Sequence, residues 1–115
     1  MDVFESRNMY QESDWTILKE LIPKWRERYL AQKNQEISEL LTEAGKPPTE
    51  QFWNAKEKLD SEAKILTKCC DGLTRRNLHY SLGEMYRCNF IAEEDLAKFS
   101  ERIRDWVMDT ARNNS

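Results

Sequence analysis

The sequence predicts an all-α protein, a four-helix, mostly antiparallel bundle, and three observations support this. Between Trp15 and Ala44 the apolar residues recur three or four positions apart, which returns them to one face of an α-helix. Two stretches of equal length, 24–44 and 50–70, are joined by five residues, as in an antiparallel helical hairpin. The 115 residues contain only three glycines and three prolines, fewer than a many-turned β fold needs. We expect a single helical domain over residues 13–111.

The first helix is expected over residues 14–44. Ser13 is a suitable N-cap, and the carboxylate of Asp14 suits the positive end of the helix dipole. Gly45 is a suitable terminator. Pro23 lacks an N–H group and crowds the preceding turn, so the helix is expected to be kinked or broken there.

Three further helices complete the predicted bundle, over residues 50–70, 74–87 and 93–111. Thr49 is expected to cap the first of them. Gly83, in the middle of the next, costs about 1 kcal/mol relative to alanine in a helix interior. Its presence indicates that another group approaches the backbone closely at this point.

The two ends of the chain carry weaker signals. Residues 1–12 are expected to form an arm that packs on the body through Phe4 and Tyr10, and residues 112–115 are expected to fray. No apolar run reaches the 18 residues that a membrane span needs, and the N-terminus lacks the basic and apolar segments of a signal peptide. We therefore expect a cytoplasmic protein with no membrane partner. The odd count of three cysteines, two of them adjacent, argues against a disulfide framework.

We find no catalytic, cofactor-binding or metal-binding pattern in the sequence. Cys69, Cys70, His79 and Cys88 are residue types that bind zinc, but they lack the paired spacing of two to four residues. His79 has no nucleophile or carboxylate beside it in a recognisable motif. The prediction is a protein that is not an enzyme and has no cofactor or small-molecule ligand. An enzyme is the third alternative, because helical bundles can hold sites without local motifs.

The most distinctive local pattern surrounds the third predicted helix. Near one helical face lie Arg76, His79 or Tyr80, Gly83 and Arg87, and guanidinium groups there could hold a phosphate, a carboxylate or an acidic partner. The alternative interpretation is a solvated face whose arginines pair with neighbouring acids. A nucleic-acid-associated regulator that uses the helix from Arg75 to Arg87 is the second functional hypothesis. The net charge of −3 disfavours it, because such proteins usually carry a basic excess.

An aromatic surplus is the best functional indication in the chain. Four tryptophans in 115 residues are a high load for a small bundle, and tryptophan and tyrosine dominate binding hot spots. The alternative is that the helices cover all of them. The leading hypothesis is a small cytosolic interaction module (adaptor, regulator or inhibitor) that binds a protein partner, or a second copy as a homodimer, through an apolar-aromatic surface. The candidate contacts are Trp25, Tyr29, Trp53 and Tyr80, with Arg75, Arg76 and Arg87 supplying polar selectivity.

Overall fold

A computed structural model describes residues 10–113 of the chain. These residues form α-helices and no strand: α1 Glu12–Leu41, α2 Pro48–Cys70, α3 Leu78–Arg87, α4 Glu93–Leu96 and α5 Glu101–Asn113. The all-α prediction is confirmed for this part of the chain. Phe4 and the last two residues of the predicted tail lie outside the described residues, whereas Tyr10 is half-buried against the core.

The first helix is unbroken across its proline. Pro23 lies inside α1 and is exposed, while Ile22 and Trp25 on either side of it are buried. Burial of such side chains contributes about 1.5–3 kcal/mol each, which offsets the roughly 3 kcal/mol cost of an interior proline. Of the two predicted alternatives at Pro23, the break is therefore wrong, and the kink stays a prediction.

The ends of α1 and α2 differ from those predicted. The N-cap of α1 is Gln11 rather than Ser13, and the Gln11 N–H donates to the Asp14 carboxylate at 2.8 Å. The helix ends at Leu41, short of Ala44. α2 begins at Pro48, where the fixed φ of proline suits a first turn, so Thr49 lies within the helix instead of capping it.

α1 and α2 form an antiparallel hairpin. The Tyr29 hydroxyl donates a hydrogen bond to Glu62 near the middle of the hairpin, and the Gln51 side chain donates to the Glu43 carbonyl at the loop end, at 2.9 Å. These pairs set the register, which brings Leu41 level with Phe52 near the loop.

The C-terminal third forms a body of short helices on one end of the hairpin. The predicted helix over 74–87 begins only at Leu78, because Thr74 to Asn77 form a turn in which the Thr74 hydroxyl accepts the Asn77 N–H at 3.1 Å. The predicted helix over 93–111 is two helices, α4 and α5. They separate before Ser100, whose N–H donates to the Asp14 carboxylate at 2.7 Å instead of continuing a helix.

The core lies where the body meets the first half of α1. Trp25 packs against Phe99 with ring centroids 6.2 Å apart, and Tyr29 packs against Phe90 at 5.1 Å. Arg28 donates two hydrogen bonds to the carboxylate of Asp95, at 2.8 and 3.2 Å. Burial alone would raise the pKa of Asp95, but the bonds from Arg28 and the Ala92 N–H outweigh it and lower this pKa.

The described residues form an elongated particle of 62 × 28 × 23 Å with a radius of gyration of 17.3 Å. A compact domain of this length would have a radius of about 13 Å. The excess comes from the hairpin, because the 30 residues of α1 extend about 45 Å, far beyond the shorter helices of the body.

Candidate interaction surface

Half of the hairpin projects from the body as a two-helix arm, defined here as residues 30–61. Within it only Ala55 is fully buried. The core side chains lie instead in the first half of α1, the end of α2 and the body. The arm is therefore a pair of helices with no third helix of the described chain to cover its flanks.

One flank of the arm is apolar. We call it the apolar side, and it comprises Leu30, Ile37, Leu41, Phe52 and Leu59. Leu41 is 48% exposed, and Phe52 and Leu59 are each 54% exposed. Large apolar side chains exposed together in this way mark interaction sites more often than single exposed residues do.

Helical geometry places these five side chains together. At 3.6 residues per turn the three residues of α1 lie within about 40° of one another, and the two of α2 within about 20°. Both groups are rotated away from the seam residues, Tyr29 on α1 and Glu62 on α2, in the same sense. In an antiparallel pair, equal rotations fall on the same side of the hairpin.

The apolar side faces away from the body. Arg28 and Lys68 are rotated from the seam in the opposite sense, and they form ion pairs with Asp95 and Glu84 of the body. The body therefore covers the other side of the hairpin at its base, outside the arm, and leaves the apolar side open.

The opposite flank of the arm, on the same side of the hairpin as the body, is polar and acidic. A groove there is lined by Glu36, Glu39, Leu40, Glu43 and Lys58. Lys58 pairs with Glu36 at 3.0 Å, and this hydrogen bond is the main cause that lowers the pKa of Glu36. The two flanks of the arm thus differ sharply in chemistry.

The base of the arm is held by a buried polar contact. Glu62 is 6% exposed and accepts hydrogen bonds from Tyr29 and Lys58. Burial acts to raise the pKa of Glu62, but these two bonds outweigh it and keep the carboxylate ionised, with its pKa lowered. Burial and the bond to Glu62 together raise the pKa of Tyr29. The contact joins α1 to α2 at the point where the arm leaves the body.

Trp53 stands at the edge of the apolar side. It is 57% exposed and packs edge-on against Phe52 with ring centroids 5.0 Å apart. Its other neighbours are the charged residues of the outer face of α2, among them Lys56 and Asp60. Phe52 and Leu59 are both half-exposed on the flank of this helix.

Two residues that were predicted to contact a partner are buried in the structure instead. Trp25 is 3% exposed and Tyr29 is 4% exposed, both within the core. Side chains packed on Phe99 and Phe90 cannot reach a partner without unfolding the body. They are structural residues, and we do not include them in the surface.

The predicted arginines lie in the body, and the structure does not bring them to Trp53. Arg75 precedes α3, pairs with Glu12 at 2.9 Å and lies over the Trp15 ring at 5.3 Å. Arg87 pairs with Glu84. Arg76 is exposed beside the same groove as Trp15. These ion pairs with glutamates agree with the alternative interpretation of the region, a solvated face whose arginines pair with neighbouring acids.

Tyr80 is 62% exposed and belongs to an aromatic group on the body. It packs against Trp106 and His79, with ring centroids 5.2 and 4.3 Å away, and His79 meets Trp106 edge-on at 4.8 Å. A Cβ atom on Gly83 would lie 3.3 Å from the Trp106 ring, which explains the glycine at this helix position.

The thiol of Cys69 is buried in the core. All three cysteines are free thiols, and burial, with a contribution from Cys88, raises the pKa of Cys69 to about 12. A thiol of such high pKa is protonated at neutral pH and is a poor nucleophile. Between residues 10 and 113, no three metal-ligating side chains come together.

Comparisons of the chain with protein-family models, with curated proteins and with solved structures find no match. None of the helices in the described range has the length and apolar character to span a membrane.

Sequence reasoning missed Leu41, Phe52 and Leu59 as surface residues, although a signal was present. The predicted first helix of 31 residues is about twice as long as the predicted third helix. A long hairpin packed against short helices must leave half of its length uncovered. Comparing predicted helix lengths would have located the arm.

Proposed function

We propose that this protein is a small interaction module that binds a protein partner through the apolar side of the arm. The single observation that carries the proposal is the exposure of Leu41, Phe52 and Leu59 on one continuous flank that faces away from the body. Trp53 at its edge adds an aromatic residue of the kind enriched in binding hot spots.

The chemistry of the arm supports a protein partner over a nucleic acid. The apolar side offers aliphatic and aromatic contacts, which fill apolar pockets in protein interfaces. The Arg75 to Arg87 region supports the nucleic-acid alternative less well, because Arg75 and Arg87 already pair with Glu12 and Glu84. Phosphates would have to displace these carboxylates.

The proposed role is that of an adaptor, regulator or inhibitor, with no catalytic step. We also propose that α1, α2, α3 and α5 are the four helices of the predicted, mostly antiparallel four-helix arrangement. The body then serves as a base to which the arm is anchored, and the arm presents the binding surface.

Site-specific photo-cross-linking in the source cells tests this proposal. A photoreactive phenylalanine analogue replaces Phe52 on the apolar side or, as the control, Glu57 on the outer face of α2. We expect a covalent adduct of discrete mass from position 52 and none from position 57. The adduct should disappear when Leu59→Glu is added. Equal adducts from both positions, or none from either, would refute the proposed surface.

A further inference from the structure

The open flank of the hairpin continues beyond the arm toward the first turns of α1. The apolar side includes Leu30, Ile37 and Leu41 of this helix. At 3.6 residues per turn, Lys19 and Arg26 lie within about 60° of these three residues. One ridge of α1 is therefore basic near the body and apolar toward the loop.

A further cation joins the basic part of this ridge from the turn ahead of α3. The Lys19 ammonium lies 5.9 Å from the centre of the Trp15 ring, and Trp15 and Arg76 line one groove of about 560 Å³. Lys19 and Arg76 therefore lie on either side of the same indole. We call Lys19, Arg26 and Arg76 the basic end of the open flank.

The acids of the chain leave the basic end largely uncompensated. In the part of the chain that the structure describes, Lys19 and Arg76 have no carboxylate partner. The Nε atom of Arg26 lies 3.9 Å from the Glu27 carboxylate, and Glu27 is exposed, so this ion pair contributes little. In a protein of net charge −3, the basic end is thus a local excess of positive charge.

The open flank has the length of a helix that packs on it. From Lys19 to Leu41 the ridge extends about 33 Å, the length of a helix of about 22 residues. Such a partner helix would form the third layer that the hairpin lacks. Its apolar residues would pack along Leu30 to Leu41 over about three turns, and about two further turns would meet the basic end. Charge complementarity requires carboxylates on those turns.

Other occupants fit this arrangement less well. A uniformly apolar helix would desolvate the three cations and offer them no counter-charge. An anionic membrane surface would favour cations along the whole border of the apolar residues. The border on α2 instead carries the neutral pair of Lys56 and Asp60, 2.7 Å apart. A nucleic acid would leave the apolar residues uncovered.

We infer that the partner covers the open flank with an amphipathic helix whose end nearest the body is acidic, and that Lys19, Arg26 and Arg76 bind its carboxylates. This inference rests on the proposed function, because it gives the chemistry of the partner of the same surface. The apolar side supplies the packing, and the basic end sets the direction in which the partner helix lies.

Peptide display against the purified full chain tests the inference. The probe is a library of helical peptides of about 24 residues, randomised along one face. We expect the enriched sequences to combine leucine, isoleucine or phenylalanine in one half with aspartate or glutamate in the other. Enrichment of basic or uncharged peptides, or of none, would overturn the inference.

Charge reversal on the protein locates the contact. Lys19→Glu combined with Arg26→Glu should raise the dissociation constant of the strongest acidic peptide at least about 10-fold, because attractive pairs become repulsive. Lys24→Glu combined with Lys64→Glu is the matched control, since it makes the same charge change at exposed positions off the open flank. The control should change the dissociation constant less than about 2-fold.

A charge swap guards against misfolding of the reversed variant. A second peptide, with lysine in place of each acidic residue, should bind the Lys19→Glu and Arg26→Glu double variant more tightly than it binds the wild type. A misfolded chain could not gain affinity in this way. A double variant with an unchanged circular dichroism spectrum and no preference for the swapped peptide would overturn the inference.

Leu59→Glu separates this inference from the proposed function. Peptides that lose binding on Leu59→Glu but not on the charge reversal refute the acidic partner and leave the proposed function standing. Peptides that are insensitive to both changes, together with no adduct from position 52, refute both.

Discussion

The Tyr29 hydroxyl donates its hydrogen bond to the Glu62 carboxylate where the arm leaves the body. Both side chains are buried, and the ring of Tyr29 packs on Phe90 of the body core at 5.1 Å. One tyrosine therefore connects the packing of the body to the seam of the hairpin. Through this tyrosine the arm is anchored to the body.

Replacing Tyr29 with phenylalanine should lower the free energy of unfolding by about 1.5–3 kcal/mol. The variant keeps the ring packing but removes a hydrogen bond to a charged, buried carboxylate. Urea unfolding followed by circular dichroism would measure the change. Tyr80→Phe is the matched control, because the exposed Tyr80 should change stability by less than about 0.5 kcal/mol. Equal effects of the two substitutions would contradict the buried role of the Tyr29 hydroxyl.

Mild acid should destabilise the protein through His79. This side chain is 8% exposed, its Nδ1 atom has no hydrogen-bond partner in the described part of the chain, and burial lowers its pKa below 6.5. The unfolded state therefore binds the proton first as the pH falls. Stability should be full above about pH 6.5 and should decline below it, by at most about 1.4 kcal/mol per pH unit.

Unfolding free energies measured between pH 7.5 and 5 would check this dependence. His79 is the only histidine, so His79→Phe should flatten the profile in this window while keeping an aromatic ring against Trp106. The ionisation of Glu62 and Asp95 affects stability in a separate, more acidic pH window. Their pKa values are lowered by folding, so their contributions are present above about pH 4.5 and are lost in stronger acid. An unchanged slope in His79→Phe would contradict the assignment.

Replacing Gly83 with alanine should leave the free energy of unfolding unchanged or lower it by up to about 1 kcal/mol. In an open helix interior the same replacement would raise it by about that amount. The added Cβ would meet the Trp106 ring at 3.3 Å. In a Trp106→Leu background the same substitution should become stabilising. Thermal unfolding of the four proteins of this cycle measures the coupling, and a Gly83→Ala effect of the same sign and size in both backgrounds would contradict the contact.

Asp14→Ala should cost about 2–4 kcal/mol of stability, more than Ser100→Ala at about 1 kcal/mol. The Asp14 carboxylate is fully buried and accepts hydrogen bonds from the Gln11 N–H, the Ser100 N–H and the Ser100 hydroxyl. Losing Asp14 leaves three donors without their acceptor, whereas losing the serine hydroxyl removes one bond. Denaturant unfolding gives the ranking, and a larger effect for Ser100→Ala would reverse this interpretation.

The periodicity of the chain was sufficient to predict helical structure, but not the ends of the helices or the separation of α4 from α5. A local contact sets the start of α3, because the Thr74 hydroxyl accepts a hydrogen bond in the turn ahead of it. A distant contact separates α4 from α5, because the Ser100 N–H bonds to Asp14 near the other end of the chain. The second of these contacts spans 86 positions, so no local pattern could reveal it. Pro23 shows the same limit, because burial of its neighbours overrides its own propensity.

The candidate site was only partly predictable for a related reason. Trp53 was identified from the aromatic surplus, and it does lie on the arm. Trp25 and Tyr29 were predicted to contact a partner, yet the body covers them, whereas Leu41, farther along the same helix, is open. Tertiary packing determines which half of a long hairpin the body covers. The helical period of the sequence does not encode this.

In-cell hydroxyl-radical footprinting tests the binding surface most directly. Phe52 and Tyr80 are comparably exposed, at 54% and 62%, but only Phe52 lies on the apolar side of the arm. In dilute purified protein both rings should be oxidised. In the source cells we expect Phe52 oxidation to fall several-fold while Tyr80 oxidation stays the same, because a partner covers the arm and not the body. An identical ratio of Phe52 to Tyr80 oxidation in both settings would contradict a bound partner on the apolar side.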